Sequence, residues 1–212
     1  MGQRRALATG RTGGGGRSGR SPAEGGGQPG GPGAGAPGGL SVETETGIEG
    51  ALADLFTAHG WTLAVAEAST GGLLGHRLTD RPGASTYFLG GIIPYSNASK
   101  IALLGVPADL LARVGAVSPE VAVALARGVR ERFGATVGLA ITGLLGPATG
   151  RRSPKPPGLT YIALATAQTT LVIERRFSGD RQTVKALSVQ TALEWCYAQL
   201  AGGLPTPSPP SG

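Results

Sequence analysis

From residue 48 to residue 200, short apolar runs alternate with segments of helical period, and glycine or proline cuts most of the junctions. A chain patterned this way can bury its strands only between layers of helix, which constrains its fold more than any single motif. Ile48, Leu52, Leu55 and Phe56 fall at helical spacing and stop at His59-Gly60. Leu63-Ala64-Val65-Ala66 lies within a predicted strand at 62–67, followed by a helix at about 70–79. Pro82-Gly83 breaks the chain, Tyr87 to Pro94 reads as a strand, and Asn97 to Leu104 as a short helix ending at Gly105. Ser118-Pro119-Glu120 supplies a cap residue, a proline at the first helical position and an acid in the first turn. The helix it opens runs through Val121, Leu125 and Val129 to Phe133-Gly134. Thr136 to Thr142 is an apolar strand, and a Gly/Pro-rich loop then runs from Gly143 to Gly158. Strands at about 159–166 and 170–178 are placed to form a hairpin, which would make the sheet mixed. The last helix, about 181–200, is expected to bury Val184, Leu187, Val189 and Leu193. The class is therefore α/β with three layers.

The pattern does not extend to the ends. Residues 1–40 hold 16 of the 38 glycines, no aromatic residue, and five arginines against one acid, Glu24. Too little apolar surface is present there to offset chain entropy, so residues 1–44 are expected to be a disordered Gly/Arg-rich tail. Residues 201–212, rich in Pro, Gly and Ser, are expected to be loose as well. One domain at 45–200 remains, long enough for a single core. The formal charge of +6 suggests nucleic acid until it is located. Most of it sits in the tail, and the folded part carries no basic stripe interleaved with aromatics, so a dedicated nucleic-acid surface is not expected. The single cysteine, Cys196, permits no internal disulfide and reads as a core residue in a reducing compartment. No apolar run reaches membrane-span length, and no secretory signal is evident, which leads to a cytoplasmic expectation. His59 and His76 lack ligand-like spacing to cysteine or acid, so no metal site is expected.

Three segments that close strands are rich in small or hydroxyl residues: 68–72, Tyr95-Ser96-Asn97, and Thr142-Gly143. Parallel strands would bring them to one sheet edge, where ligands of open α/β folds bind. The turn Ala66-Glu67-Ala68-Ser69-Thr70-Gly71-Gly72 exposes N–H groups at a helix start and offers Ser69 or Thr70 as a nucleophile. The same residues would serve equally as a helix cap followed by glycines for close packing. Lys100, one turn beyond Ser96-Asn97, is either a solvated surface residue or, partly buried beside a serine, a general base. Arg181 is either a phosphate clamp or the partner of Asp180. The loop Gly146-Pro147-Ala148-Thr149-Gly150 is no nucleotide P-loop, because no Gly-Lys-Ser/Thr follows. Arg151, Arg152 and Lys155 lie in the same long loop.

Taken in order, these motifs resemble a known family. They are Ala66-Glu67-x-x-Thr70-Gly71-Gly72, Tyr95-Ser96-Asn97-x-x-Lys100, Gly115-Ala116-Val117-Ser118, Ile141-Thr142-Gly143-x-x-Gly146-Pro147, Lys155-Pro156-x-Gly158 and Phe177-x-Gly179-Asp180-Arg181. The series is similar to the carboxy-terminal domain of CinA proteins, the nicotinamide mononucleotide deamidase family, over essentially all of residues 45–200. The resemblance implies an α/β/α sandwich with a mixed, mostly parallel five-stranded sheet. It implies hydrolysis of nicotinamide mononucleotide to nicotinic acid mononucleotide and ammonia in pyridine nucleotide salvage, with no metal or organic cofactor. In that reading Ser69, with Thr70 second, is the nucleophile and Lys100 the base. N–H groups near Gly71 and Gly72 would stabilise the oxyanion, and Tyr95, Asn97, Thr142, Gly143 and Arg181 would bind the substrate. The expected partner is a small-molecule nucleotide, and self-association into a homo-oligomer is compatible with it; a membrane is not expected. The sequence departs from the family pattern at one place. The usual Ala-Glu-Ser has Ala68 here, and serine follows one residue later at Ser69, so a nucleotide-binding homologue impaired in catalysis is the alternative.

Overall fold

The computed structural model describes residues 47–146 and 154–204. The tail expected at 1–44 and most of the one expected at 201–212 lie outside the described residues, as do Arg151 and Arg152. Elements follow one another as α1 (Ile48–His59), β1 (Leu63–Glu67), α2 (Leu73–Thr79), β2 (Phe88–Ile92), α3 (Asn97–Leu104), α4 (Ala108–Val114), α5 (Pro119–Phe133), β3 (Val137–Gly143), β4 (Leu159–Ala165), β5 (Thr170–Arg176) and α6 (Arg181–Leu200). A single turn of 3₁₀-helix, Ala84–Thr86, precedes β2. The short helix α4 was not expected: Pro107 caps it and Gly115 ends it within two turns, too few for a period to stand out.

The five strands lie in the order β2-β1-β3-β4-β5. The first three are parallel, pairing Ala64 with Gly90 and Ala66 with Ile92 on one side of β1, and Ala66 with Ala140 on the other. β4 is antiparallel to both β3 and β5. The sheet is thus mixed, with four of its five strands pointing the same way.

The two faces of the sheet differ in side-chain size. Leu63, Val65, Val137, Leu139, Ile141, Ile162 and Leu164 pack in one core with Leu52, Leu74, Leu78, Val189 and Leu193 of α1, α2 and α6. The alternate positions Ala64, Ala66, Ala140, Ala163 and Ala165 meet Val121, Leu125 and Val129 of α5 in the other. Small residues let α5 approach closely: a Cβ at Gly138 would stand 2.1 Å from the Ala126 carbonyl oxygen. A period of two in strands thus alternates large with small here rather than apolar with polar.

On α6, Val184, Val189 and Leu193 are buried as expected, whereas Leu187 is 40% exposed. At roughly 100° per residue, the buried positions 184, 188, 192, 193, 196 and 200 occupy one half of the helix, and Leu187 falls on the opposite arc.

Candidate active site

The parallel arrangement brings the carboxyl ends of β1, β2 and β3 to one edge, as the sequence predicted. β1 ends at Glu67, and the Ala68 N–H still donates to Ile141 O (3.0 Å) before the chain turns away. Gly71 (φ 67°) and Gly72 (φ 98°) then take two consecutive left-handed steps, which side chains resist, and α2 begins. The Glu67 side chain organises this turn. Its Oε2 accepts from Thr70 Oγ1 (2.7 Å), Gly72 N (3.0 Å) and Leu74 N (2.9 Å), and its Oε1 accepts from Gly75 N (2.9 Å). A carboxylate only 2% exposed thereby satisfies N–H groups that a helix start leaves without partners. The sequence placed Glu67 in the motif without a task; the signal was an acid ending a strand just before a Gly-Gly helix start.

This clasp sorts the candidates. The Thr70 hydroxyl is donated to Glu67, and Thr70 is fully buried outside the cavity wall, which removes it as a nucleophile. The Gly72 N–H is likewise committed to Glu67 and cannot serve an oxyanion. The N–H groups of Ser69 and Gly71 meet no acceptor among the described residues. The Ser69 hydroxyl is buried and has no hydrogen-bond partner among them.

Ser69 lines a cavity of about 180 Å³ together with Ala68, Tyr95, Lys100, Ala116, Val117, Thr142, Gly143, Leu144, Leu145 and Arg181. Lys100 is 3% exposed, which excludes the solvated-surface reading. The helix that carries it starts with a reciprocal cap, Ser96 Oγ accepting from Ser99 N and Ser99 Oγ from Ser96 N, both 3.0 Å. Lys100 Nζ donates to Pro94 O (2.8 Å) and Tyr95 O (3.3 Å), and no carboxylate among the described residues pairs with it. Burial lowers its pKa from the ordinary lysine value. A neutral amine has two hydrogens, which these carbonyls take, leaving its lone pair as the remaining tetrahedral direction.

The other wall residues are held from outside. Thr142 Oγ1 donates to Ala116 O (2.8 Å), and Lys155 Nζ donates to Val114 O (2.8 Å) and to Val117 O, so the 114–117 segment is tied on both sides. Arg181 Nη2 donates to the Tyr95 hydroxyl (3.1 Å), joining the start of α6 to the segment after β2. Asp180 does not pair with Arg181; its Oδ1 instead caps α6 by accepting from Thr183 N (2.7 Å). That bond holds the Asp180 carboxyl below its ordinary pKa. Three residues expected at the substrate stand apart: Asn97 is exposed at the first position of α3, Gly71 is exposed beside the turn, and Gly72 follows it, none of them in the cavity wall. Ala116, Val117, Leu144 and Leu145 complete a wall that no polar pattern marked. Cys196 is fully buried on α6, and burial pushes its thiol up to about 12, which suits a core residue.

The sequence model of the CinA C-terminal domain matches residues 45–200. The chain belongs to that family. A CinA-like protein of Geotalea daltonii is 47% identical over 153 residues, covering 72% of this chain and 37% of that protein. A CinA-like protein of Acidobacterium capsulatum is 50% identical over 141 residues, covering 66% of this chain and 34% of that protein. The chain thus spans little more than a third of the curated relatives it matches. Among solved structures, a CinA superfamily protein from Klebsiella pneumoniae aligns with a TM-score of 0.70 at 29% identity, covering 73% of this chain and 96% of that one. A competence/damage inducible protein from Agrobacterium tumefaciens aligns with a TM-score of 0.66 at 35% identity, covering 71% and 94%. The mixed five-stranded α/β fold of the described residues therefore matches CinA superfamily structures. No helix among the described residues is long and apolar enough to cross a membrane.

Proposed function

We propose that this CinA domain is an amidohydrolase that converts nicotinamide mononucleotide to nicotinic acid mononucleotide and ammonia, in pyridine nucleotide salvage. One observation carries the reading: a buried serine hydroxyl without a partner opens on the same cavity as a lysine whose pKa burial lowers. Nucleophilic catalysis needs such a pair, a hydroxyl free to attack and a base neutral enough to take its proton. Ser69 Oγ attacks the carboxamide carbon while its proton passes to Lys100 Nζ. The N–H of Ser69, the turn residue on the cavity wall, stabilises the oxyanion. The tetrahedral intermediate collapses as Lys100 returns the proton to the departing nitrogen, and ammonia leaves. Water then attacks the acyl-serine with Lys100 again as base, the proton passes to the departing Ser69 oxygen, and the carboxylic acid is released as Ser69 is regenerated. Tyr95, Thr142, Gly143 and Arg181 shape the cavity around the substrate.

The test is ammonia release from nicotinamide mononucleotide by purified protein. Ser69→Ala and Lys100→Met should each lower the rate by at least ~100-fold. Undiminished release by Ser69→Ala would overturn the assignment of the nucleophile, and no release by the wild-type protein would overturn the activity.

Ala68 favours one second reading, a nucleotide-binding homologue without turnover. It lines the same cavity and stands where the family usually has serine. Calorimetry would then show mononucleotide binding without ammonia release, and Ala68→Ser would create activity that the wild-type protein lacks.

A further inference from the structure

Two of the sequence motifs, Gly115-Ala116-Val117-Ser118 and Lys155-Pro156-x-Gly158, meet in the fold, and neither has a part in the chemistry of Ser69 and Lys100. The meeting point is the Lys155 ammonium, which donates to Val114 O (2.8 Å) and to Val117 O. Gly115 lies between these carbonyls with a left-handed φ of 76°, which lets the chain curl until both face one ammonium. Lys155 Nζ accordingly stands 3.8 Å from a Cβ position at Gly115. Val114 is also the last residue of α4, where the helix dipole favours a cation.

The segment held in this way has space on both sides. Ala116 and Val117 line the catalytic cavity with Leu144 and Leu145. The same two residues, with Val114, Gly115, Pro154 and Lys155, also line a second cavity of about 320 Å³. They form a partition between two cavities, and packing does not oppose its retreat into the second as a filled core would. Hydrogen bonds hold it instead. Thr142 Oγ1 donates to Ala116 O, and Lys155 Nζ donates to the carbonyls of Val114 and Val117. A charged donor makes the stronger bonds, so the ammonium is the main restraint. Its mount is firm: Gly158 N donates to Leu144 O (2.7 Å) and Phe177 N to Gly158 O (3.1 Å), which ties the chain just beyond Lys155 to its neighbours.

We propose that Lys155 is a positioning residue: by keeping segment 114–117 out of the second cavity, it sets the apolar wall on which the carboxamide-bearing ring of the substrate rests. This role rests on the amidohydrolase reading and adds to it a residue that is not itself in the wall of the catalytic cavity. Lys155 acts through Ala116 and Val117. It therefore governs how tightly the ring is bound and leaves the proton transfers between Ser69 and Lys100 unchanged.

Steady-state ammonia release from nicotinamide mononucleotide separates this role from a merely structural one. For Lys155→Met, KM should rise at least ~4-fold, the effect of losing contact worth one methylene group, with kcat and its pH profile little changed. A fall in kcat at unchanged KM, the mark of a smaller folded fraction, would overturn the proposal, as would no change in either. Lys155→Gln keeps one donor group without the charge and should show the same split, which serves if the methionine variant does not fold. If the wild-type protein released no ammonia, the activity would be refuted separately. A crystal structure of either variant without ligand would then decide the holding role of Lys155. Segment 114–117 displaced into the second cavity supports it, and a segment in its wild-type place sinks it.

Discussion

Lys100 holds its amine in a nearly buried position on the cavity wall, and this has consequences in both activity and stability. In the proposed mechanism the base must be neutral, so kcat/KM should rise with pH through the Lys100 pKa. The midpoint should lie below the ordinary lysine value of about 10.4, because burial lowers it. Between the lowered folded value and the unfolded value, the unfolded chain binds the proton and the native chain does not. Stability from this residue therefore increases with pH across that window. Lys100→Met should remove this slope, read as the difference in urea unfolding between the two proteins over an alkaline pH series. Glu67 makes the opposite demand, for a group that only accepts. In Glu67→Gln an amide nitrogen would face one of the four donors of the turn, leaving a buried donor unmet. A loss of roughly 1–3 kcal/mol in urea unfolding is expected, with a lower kcat because Ser69 sits on the same turn. Lys100 was legible as a candidate base but not its burial, and the task of Glu67 was not legible at all. A lysine on a short helix reads as surface, and a lone acid gives no hint that four N–H and O–H groups will converge on it.

Most secondary structure was legible, because caps and breakers are local chemistry. Ser118-Pro119-Glu120 opens α5 as expected, with Ser118 Oγ accepting from Val121 N (3.3 Å), and Gly105 ends α3 in a left-handed conformation. What failed did so for want of length or of phase. α4 is too short to declare a period, and Leu187 matched the helical spacing of its neighbours from the wrong arc. The size alternation in the strands was also hidden, since alanine and leucine both count as apolar. It has a testable cost. Gly138→Ala would drive a methyl group into the Ala126 carbonyl of α5, where backbone cannot yield as a side chain can. A loss of about 1–3 kcal/mol is expected in denaturant unfolding. Its neighbour Leu139, on the large-residue face, should cost about 2–5 kcal/mol on truncation to alanine, through the cavity left behind.

In the molecule as a whole, the site exists because β1, β2 and β3 are parallel and adjacent, a fact of topology that no window of sequence contains. The alternation of elements predicted layers, and the order of motifs predicted a shared edge; the register that sets Glu67 against Ile141 came only with the fold. The antiparallel β4 adds something different. It starts where β3 stops, so the segment between them leaves and rejoins the sheet on the site's own edge. Its base is closed by Leu144 N to Leu159 O (2.8 Å) and Gly158 N to Leu144 O (2.7 Å). A chain closed at its base can change length at little cost to the scaffold, roughly 0.6 kcal/mol per doubling. The number of residues between Leu144 and Gly158 can therefore change, by evolution or by an engineer, while the sheet and its clasped turn stay as they are.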